Sequence, residues 1–192
     1  MPDDGFPVLG PGSAAEWDAW LSEHHAGSAG LWLKIPKKGS DAPGVSYPDA
    51  LSVALCHGWI DGQKGRLDDD YWLQRFTPRR AGSKWSRINR DQATALIEAG
   101  QMSPAGLREV ELARADGRWA VAYESQSTAA VPEDLARALA GNDTARAFFE
   151  RLDRANRYAI LYRLADAKRP ETRARRLATF VAMLSEGKKI HP

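Results

Sequence analysis

The spacing of the apolar residues changes along this chain, and that change constrains the fold more than any other feature of the sequence. Before Phe76, short runs of apolar residues alternate with turn-forming residues, as is typical of strands and short helices. From Ser86 onward, the apolar residues recur at i, i+3, i+4 and i+7, which places them on one face of successive α-helices. The sequence therefore predicts an α+β protein, mostly helical, whose sheet is confined to the N-terminal half.

The N-terminal half is predicted to hold a small antiparallel or mixed sheet of three strands, with two helices packed on one face. Ser13 and Glu16 form a capping box, which predicts a first helix that ends near His25. Residues 46–49 combine a capping hydroxyl, a proline and an acid, and they predict the start of a second helix. The strands are predicted at residues 31–35, 59–63 and 71–76, the last two as an antiparallel hairpin. After Ser86, a bundle of about five to six helices is expected.

Three parts are expected along the chain. Residues 1–12, rich in proline and glycine, are predicted to be a flexible arm. Residues 13–85 are predicted to contain the sheet. Residues 86–192 are predicted to form the helical part, packed on the sheet within one compact domain.

The composition and the absence of known motifs exclude several classes of protein. A single cysteine, Cys56, cannot form an internal disulfide bond, which is typical of a reducing compartment. The four histidines show no zinc-ligand spacing and no nucleotide-binding motif is present, so neither a metal nor a cofactor is expected. No apolar run reaches the roughly 18 residues of a membrane span, and the N-terminal residues do not resemble a signal peptide. A cytoplasmic protein without membrane insertion is therefore expected.

The formal net charge of +2 conceals a strong asymmetry between the two parts of the chain. Residues 1–74 hold 5 Lys or Arg and 11 Asp or Glu, a net charge of −6. Residues 75–192 hold 22 Lys or Arg and 14 Asp or Glu, a net charge of +8. Because the sign changes at Arg75, a site for an anionic partner is expected near that residue.

Residues 75–90, RFTPRRAGSKWSRINR, form what we term the basic segment, which contains six Lys or Arg and no acid. Arginine offers planar, forked donors that suit a carboxylate or a phosphate, and a helix start adds free backbone N–H groups. An indole among these bases adds a stacking surface for a flat ligand or for an arginine side chain. The candidate ligand-binding residues are therefore Arg75, Arg79, Arg80, Lys84, Trp85, Ser86, Arg87 and Asn89.

Three interpretations of the basic segment remain open from the sequence. In the first, its bases pair within the protein, and the run Asp68, Asp69 and Asp70 is the nearest source of counter-charge. In the second, they bind a small anionic ligand or a peptide carboxylate. In the third, they bind nucleic acid together with the Arg-rich C-terminal helices. The third is weakened because those C-terminal bases lie beside an apolar stripe, where long side chains usually cover the core edge.

Two further positions invite a catalytic interpretation. Asp61, in GWIDG, is a candidate acid or base, although an Asp-Gly pair is more typical of a turn in which the carboxylate bonds its own backbone. A third interpretation pairs Asp61 with Arg66 or with an arginine of the basic segment. Cys56 and His57 are neighbours on a predicted helix, where adjacent side chains point about 100° apart and cannot form a nucleophile–base pair. Cys56 is therefore predicted to be a small buried residue, and no catalytic residue is expected apart from Asp61 in this alternative hypothesis.

Several stretches of the sequence together resemble one known family. They are LWLKIPKKGS (31–40), YPDALSVALCHGWIDGQKGRLDDDYWLQRFTPRR (47–80), SKWSRINR (83–90), ANRYAILYRLADAKRPETRARRLATFVAML (155–184) and GKKIHP (187–192). The elements that are specific in combination are GWIDG at 58–62, FTPR at 76–79 and SKWS at 83–86. From about Trp17 to Pro192, the chain is similar to the YdeI/OmpD-associated family, also called bacteriocin-protection proteins.

The resemblance implies a link, through the family's name, to bacterial tolerance of antimicrobial peptides and to an outer-membrane porin. It brings no catalytic mechanism, so it assigns no active-site residue. Because the N-terminal residues carry no export signal, a protective role is expected to be cytoplasmic and indirect.

The residues and the resemblance together favour a cytoplasmic binding or stress-tolerance protein that holds a small anionic ligand or a peptide carboxylate at the basic segment. The second hypothesis is an enzyme that uses Asp61 as acid or base, with the arginines orienting an anionic substrate. It requires that Asp61 share a pocket with the basic segment. The third hypothesis is a nucleic-acid binder, which requires one continuous positive face.

Overall fold

A computed structural model describes residues 4–125 and 128–192, and the chain divides into two compact units. The N-terminal unit is Met1–Ala122, and the C-terminal unit is Tyr123–Pro192. The first two helices of the predicted helical part therefore belong to the same unit as the sheet.

The N-terminal unit combines a four-stranded sheet with four helices in its described residues. The strands are β1 (Val8–Leu9), β2 (Leu31–Pro36), β3 (Trp59–Arg66) and β4 (Tyr71–Pro78). The helices are α1 (Ala14–His24), α2 (Tyr47–Cys56), α3 (Arg87–Glu98) and α4 (Pro104–Ala115). The strand order is β1-β2-β4-β3, with β1 parallel to β2 and the other pairs antiparallel.

The α+β class is confirmed, and the predicted count of three strands is corrected to four. The missed strand, β1, lies inside the predicted arm and is only two residues long. Proline and glycine surround it in the sequence, so no alternation of apolar and polar residues indicates a strand there.

One face of the sheet forms the core of the N-terminal unit. Leu31 and Leu33 of β2 and Phe76 of β4 are fully buried on this face, where Trp17 of α1 packs at 5.7 Å from the Phe76 ring. The Trp17 indole also donates a hydrogen bond to the Ala50 carbonyl of α2, which ties the two helices together. Because successive strand residues point to opposite faces, the neighbours of these core residues lie on the other face of the sheet.

Serine hydroxyls begin the four helices of the N-terminal unit, as their local sequences predict. Each accepts a hydrogen bond from the backbone N–H three residues later, which satisfies one of the free donors of the first turn. These residues are Ser13, Ser46, Ser86 and Ser103. The predicted start of a helix at Ser86 within the basic segment is thus confirmed.

The C-terminal unit is a set of four helices around a core of its own. The helices are α5 (Glu133–Ala140), α6 (Asp143–Arg151), α7 (Arg154–Ala165) and α8 (Pro170–Ser185). Leu135, Ile160, Leu164 and Leu184 are fully buried at its centre. The described residues thus contain eight helices. No described helix is both long and apolar enough to cross a membrane.

Candidate functional site

The basic segment runs from the end of β4, through a short loop, into the first turn of α3. The loop contains a turn in which the Ser83 N–H donates to the Arg80 carbonyl at 2.9 Å. Gly82 occupies this turn with φ of 79°, a conformation that residues with a Cβ rarely adopt. The turn lies beside the face of the sheet opposite Phe76, which carries Ile60, Arg75 and Thr77. We term it the uncovered face, because the core helices pack against the Phe76 face.

A cleft of about 510 Å³ lies between this turn and that uncovered face of the sheet. Its lining residues are Ile60, Gly62, Gln63, Arg75, Thr77, Pro78, Arg80, Ala81, Gly82 and Ser83. Arg75 and Arg80 are the charged residues in this lining, and both are cations. The residues that line the cleft therefore present two guanidinium groups, and no carboxylate, to a bound ligand.

The cleft is shaped by a β-bulge in β3. The pairing of β3 with β4 shifts register between Asp61 and Lys64. The amide of Gln74, which is fully buried, donates to the carbonyls of Gly62 at 2.9 Å and Gln63 at 3.2 Å. These bonds satisfy two carbonyls that, because of the bulge, do not pair with β4. The Gln74 side chain therefore stabilises the bulge that forms this wall of the cleft.

Arg75 lies on the uncovered face and meets the N-terminal arm. Its guanidinium is 3.5 Å from the Asp4 carboxylate, and its centre stands 4.0 Å from the centroid of the Phe6 ring. The Arg75 Nε is buried without a hydrogen-bond partner among the described residues. Asp4 also accepts a hydrogen bond from the Trp32 indole at 3.0 Å. That bond, with smaller contributions from the Phe6 backbone N–H and then from the Arg75 charge, lowers the pKa of the Asp4 carboxyl below its ordinary value.

Arg80 is the more accessible of the two cleft arginines. It is exposed, and within residues 4–125 and 128–192 it forms no ion pair. A surface arginine without an acidic partner keeps its full forked set of donors for an anion. Arg80 is therefore the residue of the basic segment best placed to contact a ligand in the cleft.

Arg79 and Trp85 face the interior instead. The Arg79 side chain is buried, its guanidinium centre lies 3.5 Å from the Trp85 ring centroid, and its Nη1 donates to the Lys84 carbonyl at 3.4 Å. Trp85 is 2% exposed and packs edge to face against Trp119. Of the two expected uses of this indole, stacking on an arginine is the one the structure shows, with Arg79 in that place.

The other candidate residues of the basic segment do not line the cleft. Lys84 and Arg87 are exposed, Ser86 caps α3 by accepting from the Asn89 N–H at 3.1 Å, and Asn89 is buried. The structure therefore brings two of the eight predicted residues, Arg75 and Arg80, to one cleft. Ligand binding by the remaining six stays a prediction.

Arg118 supports the loop and was not among the predicted residues. It donates from Nη1 to the Ser83 carbonyl at 2.7 Å and from Nε to the Asp116 carboxylate at 2.7 Å. Asp4 and Phe6 were missed in the same way. No sequence spacing indicates these contacts, because each residue lies far along the chain from the segment it touches.

The aspartate run of the hairpin lies at the other end of β4. Asp68 accepts from the backbone N–H of Asp70 and Tyr71, and the Asp70 carboxylate accepts from the Ser40 hydroxyl. With eight residues in β4, this turn is roughly 25 Å from the loop of the basic segment. Neutralisation of that loop by the aspartate run is therefore excluded.

Asp61 does not share the cleft. It pairs in register with Phe76, so it lies on the helix-covered face, where its carboxylate accepts from the Tyr47 hydroxyl at 2.8 Å. Burial, and next the Asp61 charge, raise the pKa of the Tyr47 hydroxyl. The predicted Asp-Gly turn is wrong because Asp61 is part of β3. The condition for the enzyme hypothesis, a pocket common to Asp61 and the basic segment, is not met in this structure.

Cys56 is buried at the end of α2, as predicted. Burial, with a smaller contribution from Asp18, raises the pKa of its thiol to about 11, so the thiolate needed of a nucleophile is scarce at neutral pH. The neighbouring His57 directs its Nε2 to the Asp18 carboxylate at 2.8 Å. In the described residues, no three His, Cys, Asp or Glu side chains are grouped so that they could hold a metal ion.

Comparison with known proteins gives two family matches along the chain. Residues 10–109 match the family described as Domain of unknown function (DUF8412). Residues 128–187 match the family described as Bacteriocin-protection, YdeI or OmpD-Associated, which confirms the predicted resemblance over that segment. No curated protein and no solved structure matches the chain. The cleft lies wholly within the residues of the first match.

Proposed function

We propose that this chain, which belongs to the DUF8412 domain family by a match over more than half of its 192 residues, is a binding protein for a small anionic group. The ligand would carry a phosphate or a carboxylate as part of a small molecule, or the carboxylate of a peptide. It would sit in the cleft beside the basic segment, with Arg80 and Arg75 as its charged contacts.

One observation carries the proposal: the cleft of about 510 Å³ is lined by two arginines and by no acid. The exposed Arg80 supplies a forked donor at the rim, and Arg75 supplies a second guanidinium deeper on the sheet face. Asp4 offsets part of the charge of Arg75, so Arg80 is expected to contribute most to anion affinity.

The proposal includes a cytoplasmic role in stress tolerance. The description of the family matched by residues 128–187 supports a connection with protection from bacteriocins. A protein that holds a peptide carboxylate would contribute to such protection by binding rather than by catalysis. The absence of Asp61 from the cleft supports binding over acid–base chemistry.

Replacing Arg80 tests the proposal. Calorimetric titration with inorganic phosphate, adenosine monophosphate and a dialanine peptide should find at least one ligand. Arg80→Gln should then weaken its binding by about 10- to 100-fold, because a hydrogen bond to a charged group contributes about 1.5–3 kcal/mol. Arg108→Gln is the matched control, since Arg108 is an exposed arginine of the same unit outside the cleft lining, and it should bind as the unchanged chain does.

Two results would contradict this function. One is the absence of binding by all three probes at millimolar concentration. The other is an equal loss of affinity in the Arg80 and Arg108 variants, which would trace binding to overall charge rather than to the cleft.

A further inference from the structure

The N-terminal arm adds a strand to the outer edge of β2. Val8 and Leu9 pair in parallel with Trp32 and Leu33, and the Trp32 N–H donates to the Pro7 carbonyl at 2.9 Å. The other edge of β2 is bound to β4 along all six residues. Without the arm, the outer edge of β2 would therefore be an open edge able to pair with an extended peptide.

Two side chains of the arm are held by specific partners next to this edge. The Asp4 carboxylate accepts from the Trp32 indole at 3.0 Å and lies 3.5 Å from the Arg75 guanidinium. Two residues later, the Phe6 ring lies against the same guanidinium at 4.0 Å. The ring lies close to Gly30, where a Cβ would stand 2.7 Å from the Thr77 Cγ2, 2.8 Å from the Phe76 carbonyl oxygen and 3.1 Å from the Phe6 Cε1. Trp32 and Arg75 therefore contact an acidic residue and an aromatic residue that lie two positions apart in an extended segment.

The arm is held at this site by a short pairing and is itself partly exposed. Its strand pairs over two residues, Val8 is 41% exposed, and the Asp4 side chain is 32% exposed. Trp32 beneath it is 2% exposed. Segments with few buried contacts open at a smaller free-energy cost than the core does. The arm also leaves the cleft beside Arg75 unfilled, so a more acidic segment could use both Arg75 and Arg80.

We propose that the outer edge of β2, with Trp32 and Arg75, is a docking site for an extended acidic peptide that carries an aspartate two residues before a phenylalanine. The partner is a separate protein segment of this chemistry, and the N-terminal arm occupies its place in the free chain. The site shares Arg75 with the cleft of the proposed function, but it does not depend on a small anionic ligand.

Fluorescence anisotropy with a labelled peptide tests the docking site. The probe has the sequence of residues 4–10, DGFPVLG, and the protein is the full chain with Asp4→Asn and Phe6→Ala to weaken its own arm. We expect this arm-weakened chain to bind the probe about tenfold more tightly than the unchanged chain, because the arm no longer competes. A control peptide with Asn for Asp and Ala for Phe should bind at least about tenfold more weakly.

Variants of the site separate specific docking from general attraction. In the arm-weakened chain, Trp32→Phe removes the indole donor but keeps a buried ring, and Arg75→Gln removes the charge. Each should weaken the probe by about tenfold while circular dichroism stays unchanged. If Arg75→Gln does not fold, Trp32→Phe decides alone. Arg80→Gln distinguishes the two proposals, since it should reduce anion binding in the cleft and leave the short probe bound.

Three outcomes would overturn the docking site. The first is no anisotropy change with a folded arm-weakened chain, and the second is equal binding of the probe and the control peptide. The third is a dimer of the unchanged chain that dissociates on Asp4→Asn and Phe6→Ala. That dimer would assign the edge of β2 to the arm of a second copy rather than to a separate partner.

Discussion

Individual arginines of this chain stand in very different surroundings, which decide what each can do. Arg173 donates to both oxygens of Asp134, at 2.6 and 2.9 Å, and also to the Leu164 carbonyl at 2.7 Å. Arg79 is buried against Trp85, whereas Arg80, the next residue, is exposed at the cleft. A paired, forked contact fixes geometry as well as charge. Arg173 and Arg79 therefore stabilise the fold, whereas Arg80 is accessible to a ligand.

Acid should weaken the C-terminal unit through Asp134. The hydrogen bond from Arg173 lowers the pKa of this carboxyl below its ordinary value of about 4. Its stabilising contribution is therefore complete above about pH 4 and is lost as the pH falls through the lowered pKa. Urea unfolding at about pH 6, 4 and 3 should show a smaller acid-induced loss of stability in Asp134→Asn than in the unchanged chain.

An exposed acid of the same unit provides the control for that experiment. Glu171→Gln should follow the unchanged chain across the same pH range, because Glu171 lies exposed in the first turn of α8. An identical acid response in Asp134→Asn and the unchanged chain would show that the contact with Arg173 does not contribute to acid stability.

At the scale of elements, the close approach of α4 to the end of α2 holds the helices of the N-terminal unit together. A Cβ on Gly106 would lie 2.3 Å from the Cys56 carbonyl oxygen and 2.4 Å from the Met102 sulfur. The Ser103 hydroxyl donates to the same carbonyl at 2.6 Å. The two helices therefore meet backbone to backbone, which only a residue without a side chain permits.

Gly106→Ala should destabilise the protein although alanine favours helices. The added methyl group must push α4 away from α2, and such overpacking costs about 1–3 kcal/mol of unfolding free energy. Chemical denaturation measures this loss. Gly27→Ala is the matched control, since no atom lies within 4 Å of its Cβ position, and it should change stability by less than about 0.5 kcal/mol. Equal stability of the two variants would contradict the tight contact at Gly106.

At the scale of the whole molecule, part of the positive charge of the C-terminal residues is engaged within their own unit. Arg173 and Arg176 of α8 both donate to backbone carbonyls of α7. Arg176 also lies 3.8 Å from Asp166. These bases hold helices together, as residues at the shoulder of an apolar stripe commonly do.

Nucleic acid should therefore bind poorly to this protein. A duplex of about 20 base pairs should show no retardation in a gel-shift experiment at about 50 mM salt, where phosphate contacts are strongest. Retardation that weakens steeply with salt would instead support the nucleic-acid hypothesis.

Much of the secondary structure could be predicted because its causes are local. The hydroxyls of Ser13 and Ser86 reach backbone N–H groups three residues away, so each helix start is visible in a few letters. The two-residue strand β1 escaped prediction because its pairing with β2, more than twenty residues away, gives it no pattern of its own. At the site, the sequence indicated the region of positive charge but not which bases face outward.

The sequence by itself determined the α+β class, the positions of the helices after Ser86, and the density of cations at residues 75–90. These follow from the period of the apolar residues and from composition, which need no knowledge of distant contacts. Only the tertiary structure decided that Arg79 is buried, that Arg80 borders a cleft, and that Asp4 reaches Arg75. The physical reason is that these outcomes depend on the order of strands in the sheet and on which face each residue takes, and both are settled by pairing between segments far apart in the chain.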